Sequence, residues 1–182
     1  EGLFDYLAAL TVREAKGSSS RLFAIVYGVG ILVTVFLSND ATAVVLTPAV
    51  YAAAKHARVN PLPYLFACAF IANAASFVLP ISNPANLVIY GAAMPPLGTW
   101  LLHLLIPALL AILATYIALR VAVRRDLAAQ APRFEELPRL GRGGRLVAIG
   151  IGLTAIVLLS ASALGADLGL PTLVAGAAVA MA

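Results

Sequence analysis

The chain is 182 residues long, 62% hydrophobic and 11% charged, with a net charge of +4. A water-soluble domain averages about 45–50% apolar and about 25% charged residues, so this composition excludes an ordinary soluble protein and describes a membrane protein. The basic excess is no sign of nucleic acid: all 12 Lys and Arg fall in three short stretches, Arg13 to Arg21, Lys55 to Arg58 and Arg120 to Arg145.

Residues 1–12 read as the end of a transmembrane helix, in a chain that opens without Met on "EGLFDYLAAL". Residues 22–54 run "LFAIVYGVGILVTVFLSNDATAVVLTPAVYAAA", with Ser38, Asn39 and Asp40 near the middle. Residues 64–93 run "YLFACAFIANAASFVLPISNPANLVIYGAA", with Pro80 and Pro84 on either side of Ser82 and Asn83. Residues 99–119 are a spanning helix by length, which requires roughly 20 apolar residues. The Arg-rich loop 120–145 follows, then a further span over 146–164 and the start of another over 171–182. With a helix tail at the start and an apolar run at the end, the expectation is a fragment of a longer polytopic protein.

Charge orients these segments, because Lys and Arg concentrate on the cytoplasmic side of a membrane. Loop 120–145 is then cytoplasmic, and the uncharged turn "MPPLG" at 94–98 is external. Working backwards, both ends of block 22–54 lie inside. Two full spans need about 40 residues plus a turn. Here each arm is roughly 21–24 Å long at 1.5 Å per residue, short of a hydrocarbon core about 30 Å thick. The expectation is a re-entrant helical hairpin entering from the cytoplasmic side, with its tip at 38–40. In block 64–93 the two prolines remove backbone donors and break the helical ladder. Two half-helices, about 64–76 and 86–93, are expected there, joined by an unwound stretch. A short hairpin followed by a Pro-interrupted helix points to a transporter binding site.

Asp40 is the one carboxylate inside the apolar blocks. Such a residue usually marks an ion or proton pathway. The expectation is that it takes up and releases a coupling proton. It also suits the plainer role of capping the second arm. Ser38, Asn39, Ser82, Asn83 and Asn86 offer hydroxyls, amides and open backbone to a substrate or ion. Asn73, Ser76, Thr42 and Thr47 form a second tier, since Ser and Thr in membrane helices mostly bond their own backbone or a neighbour. The single Cys68 reads as a packing residue, His103 as packing or reaching the interface, and Trp100 and Tyr90 as an external aromatic belt. There is no Gly-rich phosphate loop, no His-Glu-x-x-His and no supported Ser/His/Asp pattern, so no catalytic residue is assigned.

At "SNDATAVVLTPAV" and "FIANAASFVLPISNPANLVIYG" the sequence resembles the ArsB-type arsenite/antimonite efflux carriers of the ion-transporter superfamily. These are related to NhaD-type antiporters and divalent-anion/Na⁺ symporters. The resemblance runs from residue 1 to 182, including "RVAVRRDL" and "LGLPTLVAGAA". It implies an all-α polytopic fold in which two inverted repeats each supply a hairpin and a broken helix, this chain carrying the first. It places the site on Ser38, Asn39, Asp40, Ser82, Asn83 and Asn86, with Asp40 carrying the coupling proton. The implied activity is proton-driven export of As(III) or Sb(III) across the inner membrane, without a cofactor. Where the efflux carriers commonly have Gly and Asp-Thr, this chain has Ala41 and Asn73-Ala74. The same cage of amides and carbonyls would also suit Na⁺, so a Na⁺/H⁺ antiporter or anion carrier stays open, as does a passive channel. The family also leaves room for an ArsA-like ATPase partner and a homo-oligomer, to which no residue here points.

Overall fold

The computed structural model describes residues 12–128 and 141–163, together with Tyr6, Leu10, Leu173, Val174 and Ala177. Most of the expected segments 1–12 and 171–182, and the centre of loop 120–145, lie outside the described residues. Among the described residues all regular elements are helical. In chain order they are α1 (Ser19–Phe36), α2 (Asn39–Ala41), a π-helical turn (Thr42–Leu46) and α3 (Thr47–His56). Then come α4 (Leu62–Ala74), a 3₁₀ turn (Pro80–Ser82), α5 (Pro84–Tyr90) and a second 3₁₀ turn (Gly91–Ala93). Next are α6 (Leu97–Ala122), α7 (Arg124–Leu127) and α8 (Arg142–Ala163).

Polar residues write the punctuation. Ser18 starts α1, its Oγ accepting from the Arg21 N–H at 3.2 Å. Ser38 and Asn83 do the same for α2 and α5. Each satisfies a donor that a helix start leaves open. Prolines at 63 and 84 sit in first turns, where a missing N–H costs nothing. The two arms of block 64–93 therefore begin at Leu62 and Pro84, slightly before the sequence boundaries, and the second ends at Tyr90. Gly91 ends it at φ 50, ψ −128, a conformation open to glycine and not to residues with a Cβ.

Helices α1 and α6 are long and apolar enough to cross a membrane. At 1.5 Å per residue they measure about 27 and about 39 Å, so α1 is longer than the roughly 21–24 Å expected of a hairpin arm. Helix α6 leaves Leu102, Ile106, Leu109, Leu110, Leu113 and Ile117 exposed, a face suited to lipid. The core instead lies between α1 and α4, around Phe23, Val26, Tyr64, Ala67 and Ile71. Gly30 sets their separation: a Cβ there would meet Ile71 Cγ2 at 2.7 Å. Tyr27 and Tyr116 pack edge to face at 5.1 Å, and the Tyr27 hydroxyl donates to the Ile112 carbonyl at 2.7 Å, which ties α1 to α6.

The chain reverses between α1 and α2, so that Val50 and Ala54 of α3 return to Leu22 and Val26 near the start of α1. At that same end the Tyr64 hydroxyl donates to the Ser19 carbonyl at 3.4 Å, and Asn60 Nδ2 donates to Asp126 Oδ1 at 2.8 Å. These contacts gather Arg21, Lys55, Arg58, Arg124 and Arg125 at one end of the bundle, with the break at Ser38 at the other.

Candidate functional site

The first break is a single extended residue. Leu37 closes α1 through its N–H on the Val33 carbonyl, and Ser38 then runs extended at φ 176, ψ 167. Ser38 Oγ accepts from the Ala41 N–H at 3.1 Å, so the cap is Ser38, not Asp40. Asp40, one residue into the new helix, is exposed and forms no hydrogen bond or ion pair among the described residues. Asn39 is half-buried, and its Oδ1 is shut off from solvent without a partner among the described residues.

Behind these residues lies a fully buried hydroxyl pair, Thr34 Oγ1 and Thr42 Oγ1, 2.8 Å apart across the turn. Thr42 Oγ1 also lies 3.5 Å from the Ser38 carbonyl. The π turn that begins at Thr42 has a local cause. Pro48 has no N–H to donate, and its ring crowds the carbonyl a turn back, so the preceding turn widens. Thr47 completes it, its N–H and its hydroxyl both donating to the Thr42 carbonyl, the hydroxyl at 2.8 Å.

The second break is better knitted. Ser76 Oγ donates to the Asn73 carbonyl at 2.7 Å, and Asn73 Nδ2 to the Ala69 carbonyl at 3.1 Å; both side chains thus serve their own helix. Asn83 Oδ1 caps α5 by accepting from the Ala85 N–H at 2.9 Å. Asn86 is buried, its Nδ2 shared between the carbonyls of Pro80 and Ser76 at 3.2 and 3.4 Å. Ser82 is wholly buried; its Oγ accepts from the Leu79 N–H at 3.1 Å and donates to the Val35 carbonyl at 2.9 Å. Val35 belongs to the last turn of α1, where carbonyls lack helical partners. Ser82 therefore stitches the two breaks together.

The structure thus brings Ser38, Asn39 and Asp40 to one turn and Ser82, Asn83 and Asn86 to another, and joins the turns through Ser82. Their side chains divide by use. Ser82, Asn83 and Asn86 spend hydrogen-bonding groups on the backbone, whereas Asp40 and Asn39 Oδ1 have none engaged among the described residues. Of the two helix starts, that at Pro84 has its first-turn donors used or missing, since Pro84 has no N–H and those of Ala85 and Asn86 donate to Asn83, whereas at Asn39 the N–H groups of Asn39 and Asp40 have no partner among the described residues. Among the described residues no cluster of three His, Cys, Asp or Glu is placed to hold a metal ion.

Thr34 and the Val35 carbonyl escape the sequence reading. One sits inside an unbroken apolar run and the other is a main-chain atom, so neither carries a local signal. Trp100 also differs from expectation. It is buried rather than set in an interfacial belt: its Nε1 donates to the Phe77 carbonyl at 3.0 Å, where α4 has already unwound, and Tyr90 packs edge to face on it at 5.5 Å.

Comparison with known proteins places this geometry in context. Residues 1–182 match the family described as citrate transporter (CitMHS). The chain is 32% identical over 144 residues to an arsenical pump membrane protein of Escherichia coli, covering 76% of this chain and 32% of that protein. It is 32% identical over 90 residues to a putative arsenical pump membrane protein of Bacillus subtilis, covering 48% of this chain and 20% of that one. An uncharacterised transporter of Mycobacterium tuberculosis is 23% identical over 142 residues, covering 78% of this chain and 33% of its own length. The chain thus spans about a third of the length of such relatives. No solved structure matches.

Proposed function

Since the chain belongs to the citrate transporter (CitMHS) family, we propose that it forms part of a secondary active transporter exporting arsenite or antimonite from the cell in exchange for protons. The observation that carries this reading is Asp40: the one carboxylate of the apolar blocks stands at a helix break, without a partner among the described residues. A carboxylate so placed can bind a proton on one side of the membrane and release it on the other. Arsenite at neutral pH is an uncharged trihydroxide, and Asn39, Asn83, Asn86 and the open backbone N–H groups of the first break would bind its hydroxyls. The 32% identity to an arsenical pump membrane protein supports the same substrate.

In this reading α1 to α3 are a re-entrant hairpin, α4 and α5 a broken helix, and the basic end of the bundle faces the cytoplasm. Alternating access moves hairpin and broken helix together past a fixed scaffold. A second reading, a Na⁺/H⁺ antiporter or an anion carrier of the same fold, draws on the family's description.

Everted membrane vesicles holding the full-length protein decide between them. The expected result is As(III) uptake driven by a pH gradient, abolished by Asp40→Asn while As(III) binding persists. Uptake of Na⁺ or of citrate, with As(III) ignored by a well-inserted wild type, establishes the second reading and removes the first.

A further inference from the structure

Among the described residues the side chains of Asp40 and Asn39 hold their place at the break without hydrogen bonds of their own, and something else must orient them. Their turn is anchored from behind, where Thr34 Oγ1 on the last full turn of α1 meets Thr42 Oγ1 at 2.8 Å. Both threonines are 0% exposed. Each hydroxyl carries one proton and two lone pairs. If Thr34 donates to Thr42, the Thr42 proton is free for the Ser38 carbonyl 3.5 Å away. The chain of contacts then runs Thr34 to Thr42 to Ser38, and Ser38 in turn caps the helix that bears Asn39 and Asp40. The next turn depends on Thr42 as well, because its carbonyl takes both the N–H and the hydroxyl of Thr47.

We propose that Thr34 is a positioning residue for transport: through the buried Thr34–Thr42 hydroxyl clasp it fixes the orientation of Asn39 and Asp40 at the break, without touching substrate. The inference rests on the reading of Asn39 and Asp40 as the transport site. A purely apolar contact between the two arms would hold their separation but not their rotation. A hydroxyl pair is directional and weakens steeply once its angles are lost.

The test uses the full-length protein in everted vesicles, comparing Thr34→Ser, Thr34→Val and the double variant Thr34→Val/Thr42→Val. Ser keeps the hydroxyl; Val keeps the shape and loses it. The expected result for Thr34→Val is a rise of about tenfold in the KM for As(III) per inserted molecule, the size of one lost hydrogen bond. Thr34→Ser stays within about twofold of wild type, inside the scatter of a retained bond. A second readout needs no substrate: the rate at which a water-soluble maleimide labels Asp40→Cys, with Cys68 and any other native cysteine replaced. Thr34→Val should change that rate by about fivefold or more, and Thr34→Ser should leave it near its starting value. If wild type takes up no As(III), the arsenite reading fails and the labelling rate alone judges the clasp.

Should Thr34→Val insert poorly, the double variant removes the orphaned hydroxyl and takes its place. A shifted labelling rate in whichever variant inserts supports the clasp. Wild-type KM and labelling in a well-inserted variant lacking the hydroxyls overturn it.

Discussion

A hydroxyl buried beside two backbone groups satisfies a donor and an acceptor to which lipid offers no other partner. Ser82 is such a residue. Replacing it with Ala leaves the Val35 carbonyl and the Leu79 N–H without their side-chain partner. The expected loss is about 1–3 kcal/mol, the desolvation penalty of a buried polar group left unpaired. Thermal unfolding of the purified full-length protein in detergent measures it; an unchanged midpoint would mean the stitch contributes nothing. Trp100→Phe removes the donor to the Phe77 carbonyl and should cost about 1 kcal/mol in the same assay. At this scale the sequence was half legible. Ser38, Asn39 and Asp40 announce a break because short polar side chains compete with helical hydrogen bonds. Whether Ser82 faces a ligand or the Val35 carbonyl depends on which turn it meets, 47 residues away, and no local pattern encodes that meeting.

Helix packing follows from where small residues fall. Gly30 allows α1 to approach the β-branched side chain of Ile71, whose stiff χ1 gives it little room to yield. Gly30→Ala is expected to destabilise by about 1–2 kcal/mol, the overpacking penalty less the gain in helix propensity. Gly30→Ala combined with Ile71→Ala should recover part of that loss, since the atom in conflict is gone. If the single variant melts like wild type, the helices do not approach as closely as described. Pro48 poses the opposite test. Pro48→Ala restores an N–H and should let the π turn close into ordinary α-helix, raising the melting temperature and slowing transport. A melting temperature that falls instead would place the cause of the wide turn elsewhere. Element positions were readable because apolar run length and proline spacing are local. The π turn was not, because Pro48 reads equally well as the first-turn proline of a new helix.

Across the bundle, Arg21, Lys55, Arg58, Arg124 and Arg125, which lie far apart in sequence, converge on one end, and the turn at Met94 to Pro96 leads into the opposite end of α6. This convergence supports a cytoplasmic basic end, which can be read directly. Gly98→Cys, at an exposed position with open space around the Cα, should label in intact cells with a membrane-impermeant maleimide. Arg125→Cys, also exposed, should label only after permeabilisation. The reverse pattern would invert the topology.

The bond from Ser82 to the Val35 carbonyl also sets an order of events during synthesis. The Thr34–Thr42 pair closes over 8 residues and can form as soon as the turn exists. The stitch must wait for the chain from Thr42 to Ser82, about 40 more residues, to leave the ribosome. At about 5–20 residues per second, that is an interval of roughly 2–8 s. For that time the hairpin sits clasped at its tip yet unfastened from its neighbour, with a bare carbonyl at the end of α1. A chaperone or insertase acting on this protein has that interval in which to hold it.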